Sequence, residues 1–70
     1  RVFVADGCRW IVDYKTVRGP AVDLPQRAEQ FRPQLERYAA LFRDDPRPLR
    51  MAVYFPQQGR LLELPVRPAG

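Results

Sequence analysis

The sequence predicts an α/β domain in which a mixed sheet and one crossover helix follow the order β-β-α-β-β. Three observations carry that reading. Two strand-like runs flank Asp6-Gly7, a dipeptide that favours a tight hairpin because both central residues must adopt positive φ. A helical periodicity sets in at Phe31. An alternating run from Leu49 to Phe55 then leads through a turn into a last strand-like run. A strand, a helix-bearing connection and another strand imply a right-handed parallel β-α-β unit.

The first strand draws on Val2, Phe3 and Val4, which are β-branched or aromatic. The second runs from Cys8 to Thr16. A two-residue loop sets their register: Ala5 opposite Cys8, Val4 opposite Arg9, Phe3 opposite Trp10, Val2 opposite Ile11 and Arg1 opposite Val12. The position opposite Asp13 then falls one residue ahead of Arg1. Residues 16–30 read as a loop with turns at Arg18-Gly19-Pro20 and Asp23-Leu24-Pro25, leaving room for a short helical turn after Asp23. Phe31, Leu35, Tyr38, Leu41 and Phe42 fall at helical spacing beside Ala39, and Pro33 suits a first turn. Asp44-Asp45-Pro46-Arg47-Pro48 stops that helix. Pro56-Gln57-Gln58-Gly59 forms a turn, Arg60 to Leu64 returns antiparallel, and residues 66–70 read as a tail.

Seventy residues make one small domain or part of one, and a core of that size is marginal. Strand-like residues begin at Arg1 with no methionine, so the expectation is the C-terminal part of a single larger domain. Cys8 is the only cysteine and histidine is absent, which excludes an internal disulfide, a zinc finger and a histidine-based triad. No apolar run reaches transmembrane length and no signal-peptide pattern opens the chain, so no membrane partner and a reducing intracellular setting are expected. The net charge of +4 fits a polyanionic partner, although arginine-rich composition alone can produce it. A sheet that starts at Arg1 exposes an edge on which a second copy could pair.

Lys15 is the one lysine in a chain whose other basic residues are all arginine. It lies two residues after Asp13, so in a strand both side chains project from the face that also carries Ile11. A carboxylate and an ammonium so placed suit phosphodiester chemistry with a hard divalent cation, Mg²⁺ or Mn²⁺. Asp13 would bind the cation, and the backbone carbonyl of Tyr14 would add an oxygen. Lys15 would orient a water or meet charge on the phosphate. An acid opposite Asp13 would complete the pair. Gln34 and Tyr38, one helical turn apart, share a face. The plain alternatives are an exposed Asp13–Lys15 ion pair and a core tyrosine at 38.

Gly7…Trp10-Ile11-Val12-Asp13-Tyr14-Lys15-Thr16, followed on the helix by Gln34-Leu35-Glu36-Arg37-Tyr38-Ala39, resembles the RecB-type nuclease domain of the PD-(D/E)XK superfamily. The resemblance spans Arg1 to Phe55. It implies a partial restriction-endonuclease-like fold and a metal-dependent exodeoxyribonuclease of DNA repair or recombination. Such domains end bacterial helicase–nuclease enzymes, which implies a bacterial cytoplasmic setting, with ATP used only by a helicase part outside this chain. Residue by residue, it makes Asp13 the metal-binding acid, Lys15 the catalytic lysine, and Gln34 and Tyr38 the helix pair that lines the site and touches DNA. The family's second acid and its upstream histidine are not in these seventy residues, so the chain by itself is expected to cut DNA little or not at all. The competing expectation is a non-catalytic nucleic-acid-binding or structural domain on the same fold.

Overall fold

A computed structural model describes residues 1–18 and 23–67. The chain builds β1 (Val2–Ala5), β2 (Cys8–Tyr14), α1 (Leu24–Glu29), α2 (Arg32–Ala39), a 3₁₀ turn (Ala40–Phe42), β3 (Leu49–Phe55) and β4 (Arg60–Leu64). One mixed sheet holds the strands in the order β1-β2-β3-β4. The β1–β2 and β3–β4 pairs are antiparallel, and the central β2–β3 pair is parallel. The predicted strand layout is therefore the one that forms.

The hairpin closes as its turn residues dictate. Asp6 and Gly7 take φ of 53° and 74°, and the pairs Val2–Ile11, Phe3–Trp10, Val4–Arg9 and Ala5–Cys8 follow in register. Arg1 continues the ladder: its carbonyl accepts the Val12 N–H at 2.8 Å. Phe3 and Trp10 stack with ring centroids 6.2 Å apart, a cross-strand contact that helps hold this edge.

The crossover departs from the expected single helix. Part of the segment expected as loop, Leu24–Glu29, is itself a helix. Pro25 sits in its first turn, where no N–H is required. Asp23 caps it from a left-handed conformation (φ 59°), its Oδ1 accepting the Gln26 N–H at 3.3 Å. Leu24 and Ala28, four residues apart, are both buried, which is what holds so short a helix in place. The turn read at Gly19-Pro20 lies outside the described residues.

The second correction concerns the inward face of α2. Leu35 and Ala39 are buried and Phe31 and Phe42 pack against the core, but Tyr38 is 49% exposed and Leu41 75% exposed. Spacing alone placed all the apolar residues together, whereas the core covers the Leu35–Ala39 side of α2 and leaves outside Tyr38 and Leu41, the latter in the 3₁₀ turn that follows the helix. The core joins Ile11, Met51, Val53, Phe55 and Leu64 of the sheet to Leu24, Ala28, Leu35 and Ala39 of the helices. Trp10, Val12, Tyr14, Tyr54 and Leu61 form an apolar recess with Phe3 on the other sheet face.

Arg32 is the buried charge, only 5% exposed. Its Nε and Nη2 donate to Glu29 at 2.8 and 2.9 Å, its Nη1 donates to the Pro65 carbonyl at 2.6 Å, and Glu36 lies 3.6 Å away. One guanidinium thus ties α1, α2 and the end of β4 together. The fork held by Glu29 keeps the arginine pKa raised and that of Glu29 lowered. Glu36, four residues on, makes the longer contact of the two carboxylates.

A second polar clamp closes the other end of the crossover. Asp45 accepts the Arg47 N–H at 3.0 Å and the Arg9 Nε–H at 2.9 Å, while the Arg9 guanidinium lies 4.9 Å from the Phe42 ring centroid. The Arg47 backbone N–H, then Arg9, hold the Asp45 carboxyl down to about 2 from an ordinary 3.8. A depressed carboxyl pKa adds stability above the unfolded value and loses it as pH falls through the folded one. Asp45→Asn should therefore lower the melting temperature at pH 6 and lower it clearly less at pH 2, where the folded-state carboxyl is already about half protonated. Melts followed by circular dichroism at both pH values check this, and an equal loss at both would show the contact to be independent of charge.

Candidate functional site

Asp13 is the last but one residue of β2, and Lys15 follows the strand end. The parallel ladder sets both: Asp13 is registered with Val53, and the Lys15 N–H donates to the Tyr54 carbonyl at 3.0 Å. Alternation along the strand sends both side chains to the helix-covered face, as Ile11 before them. Lys15 Nζ stands 3.3 Å from Asp13 Oδ2, with the two side chains 30% and 25% exposed.

That approach is close enough for an ion pair but lies off hydrogen-bond directions. Asp13 Oδ2 is buried and has no hydrogen-bond partner. Buried carboxylate oxygens are ordinarily satisfied, so an orphaned one needs a reason. A recess of about 170 Å³ is lined in part by Asp13, together with Ile11, Gln34, Leu35, Tyr38 and Arg1. Gln34 and Tyr38 enter this recess from α2, across from Asp13. Three of the side chains singled out in the sequence therefore line one recess, Asp13 from the strand and Gln34 and Tyr38 from the helix, while Lys15 reaches Asp13 from outside that lining.

Two features bear on a cation. Val12 donates its N–H to Arg1, so alternation turns the Tyr14 carbonyl to that same β1 side, level with a position ahead of Arg1. Tyr14 itself is not among the residues that line the recess. Among the described residues, no three of His, Cys, Asp and Glu converge. Asp13, with its orphaned oxygen, fits one corner of a hard-cation site, and oxygen is the donor that such a cation takes. Arg1 pairs with Val12, so the register puts the next position ahead of Arg1 directly opposite Asp13.

The site also holds a residue that the pattern reading assigned only to the core. The Phe31 ring centroid lies 5.0 Å from Lys15 Nζ. Its signal in the sequence was its place one helical turn ahead of Gln34. Tyr14, on the opposite face, stacks edge-on against Tyr54 at 5.4 Å and contributes its backbone alone to this site.

Comparison with protein families, curated proteins and solved structures finds no match to this chain. No helix among the described residues is long and apolar enough to cross a membrane.

A partly exposed ion pair that lies off hydrogen-bond directions contributes little to folding. Asp13→Asn and Lys15→Met should each change unfolding free energy by less than about 1 kcal/mol, with a coupling in the double-mutant cycle also below about 1 kcal/mol. Urea denaturation of the four proteins measures it. A coupling above about 2 kcal/mol would make the pair a structural one, beyond what exposed pairs give.

Proposed function

We propose that Asp13, Lys15, Gln34 and Tyr38 form the strand-and-helix half of a metal-dependent DNA nuclease centre of the RecB type in the PD-(D/E)XK superfamily. The activity would be exonucleolytic phosphodiester hydrolysis in DNA repair or recombination, within an enzyme whose ATP-driven helicase part lies outside this chain. The observation that supports this reading most directly is the unpartnered Oδ2 of Asp13, with the sole lysine 3.3 Å away and the Asp13 residue lining one recess with Gln34 and Tyr38.

Each residue has a role that its position suits. Asp13 would hold Mg²⁺ or Mn²⁺ through its carboxylate, with the Tyr14 carbonyl as a further oxygen. When bound, such a cation lowers the pKa of a water and offsets charge on a phosphate. Lys15 places a compact ammonium beside that phosphate, where it meets developing negative charge or orients the attacking water. The Gln34 amide, which lines the recess, would donate hydrogen bonds to a strand bound there. The half-exposed Tyr38 ring offers a stacking surface for an unpaired base. The apolar β1 edge remains open for pairing with a second copy.

The geometry leaves room for one more acid, opposite Asp13. Two chains extended by a single residue ahead of Arg1, one with Asp and one with Ala, isolate its effect. Mn²⁺-dependent degradation of a labelled single-stranded oligonucleotide should be at least about tenfold faster with Asp, since even outer-sphere partners of a metal are worth that much. Asp13→Ala in the Asp-extended chain should abolish cleavage and spare oligonucleotide binding. Equal cleavage by both extended chains, or cleavage that survives Asp13→Ala, would overturn the proposal. Binding by both with cleavage by neither would favour a non-catalytic nucleic-acid-binding domain.

A further inference from the structure

Lysine is flexible, and an ion pair in partial contact with water fixes it poorly. Yet Lys15 Nζ stands in a defined place: 3.3 Å from Asp13 Oδ2, off hydrogen-bond directions, and 5.0 Å from the centroid of Phe31. Its backbone is pinned by the bond to Tyr54, so only the side chain is left to be held. The aromatic face is the other attraction acting on the ammonium, and it is well placed to act.

Phe31 is itself fixed. Its N–H donates to the Ala28 carbonyl at 3.0 Å and its carbonyl accepts the Leu35 N–H at 3.2 Å, so it is bonded into both helices. Its backbone sits at φ −95° and ψ 0°, the bend between α1 and α2, and its ring packs against the core. The ring is thus carried on the element that delivers Gln34 and Tyr38 to Asp13.

We infer that Phe31 is a positioning residue: it draws the Lys15 ammonium over its ring and away from a close pair with Asp13, keeping Oδ2 available to a divalent cation. The catalytic meaning of this rests on the nuclease reading, but the positioning does not. Without the ring, the ammonium relaxes onto Oδ2 as a direct hydrogen bond and competes with a cation for it.

The chain's single lysine makes the test clean, because protein labelled with ¹³C-lysine gives one side-chain spin system. In the unsubstituted chain, the Lys15 ε-protons should be shifted upfield by the ring current. Phe31→Leu should abolish that shift and weaken Mn²⁺ binding, followed by the electron paramagnetic resonance of free Mn²⁺, by about two- to fivefold, the size of a partly exposed cation–π contact. Phe31→Trp should keep both. Trifluorinated phenylalanine at position 31 preserves the ring's shape while depleting its negative face, so it should weaken Mn²⁺ binding even if Phe31→Leu fails to fold. A Lys15 signal unmoved by Phe31→Leu, or Mn²⁺ binding unchanged by the trifluorinated ring, would overturn the inference. Neither readout requires cleavage, so a chain that shows both effects and never cuts DNA counts against the nuclease reading alone.

Discussion

The parallel pairing of β2 with β3 is the constraint from which the remainder follows. Parallel neighbours cannot be joined by a tight turn, so the chain must leave β2 at its C-terminal end, travel the length of the sheet and re-enter at Leu49. The helices occupy that return path. Because they are laid along one face of the sheet, Gln34 and Tyr38 arrive over the strand end that carries Asp13 and Lys15. The site is thus a product of topology. Asp13, Gln34 and Tyr38 are separated by up to 25 positions in sequence and line one recess because the crossover runs along the face that carries Asp13, with Lys15 joined to them through Asp13. The two arginine clamps hold that crossover at its ends, Arg32 beside β4 and Arg9 with Asp45 ahead of β3.

Much of this was legible in the residues, and the reasons differ from element to element. The hairpin register was readable because Asp-Gly admits few turn geometries, and every other pair along β1 and β2 is then counted from it. The same count located the position opposite Asp13. The strands β3 and β4 were readable because their alternation is bounded by prolines and a glycine. The helix α1 was obscured because Asp23-Leu24-Pro25 is both a turn signal and a capped helical first turn, and only the burial of Leu24 and Ala28 decides between them. The outward rotation of Tyr38 and Leu41 was hidden for a related reason: periodicity finds a stripe, but packing against the sheet selects which part of it is covered. Phe31 looked like one more core position because spacing carries no information about a cation lying across the chain. The burial of Arg32 left no local signal, because one of its partners, Pro65, is 33 residues away.

The two faces of the sheet are unlike. The helix side is closed by a continuous core, whereas the other is an aromatic surface on which the rings of Trp10, Tyr14 and Tyr54 lie over the buried Val12 and Ala52. Arg50 stacks 4.3 Å from the Trp10 centroid and pairs with Glu63 at 2.6 Å, so even the charges there cover apolar surface. This separation leaves the polar chemistry of the chain concentrated where α2 meets the end of β2. The orphaned oxygen of Asp13 stands out against a molecule whose other carboxylates at 29, 45 and 63 are firmly held by arginines.

The central proposal is that this one carboxylate is a divalent-cation ligand. The most direct measurement is paramagnetic broadening of amide signals in a ¹⁵N–¹H correlation spectrum titrated with Mn²⁺. The account predicts that broadening is strongest at Asp13, Tyr14 and Lys15, extends across the recess to Gln34 and Tyr38, and disappears in Asp13→Asn. Broadening centred on Asp44 and Asp45, or a pattern unchanged by Asp13→Asn, would contradict it.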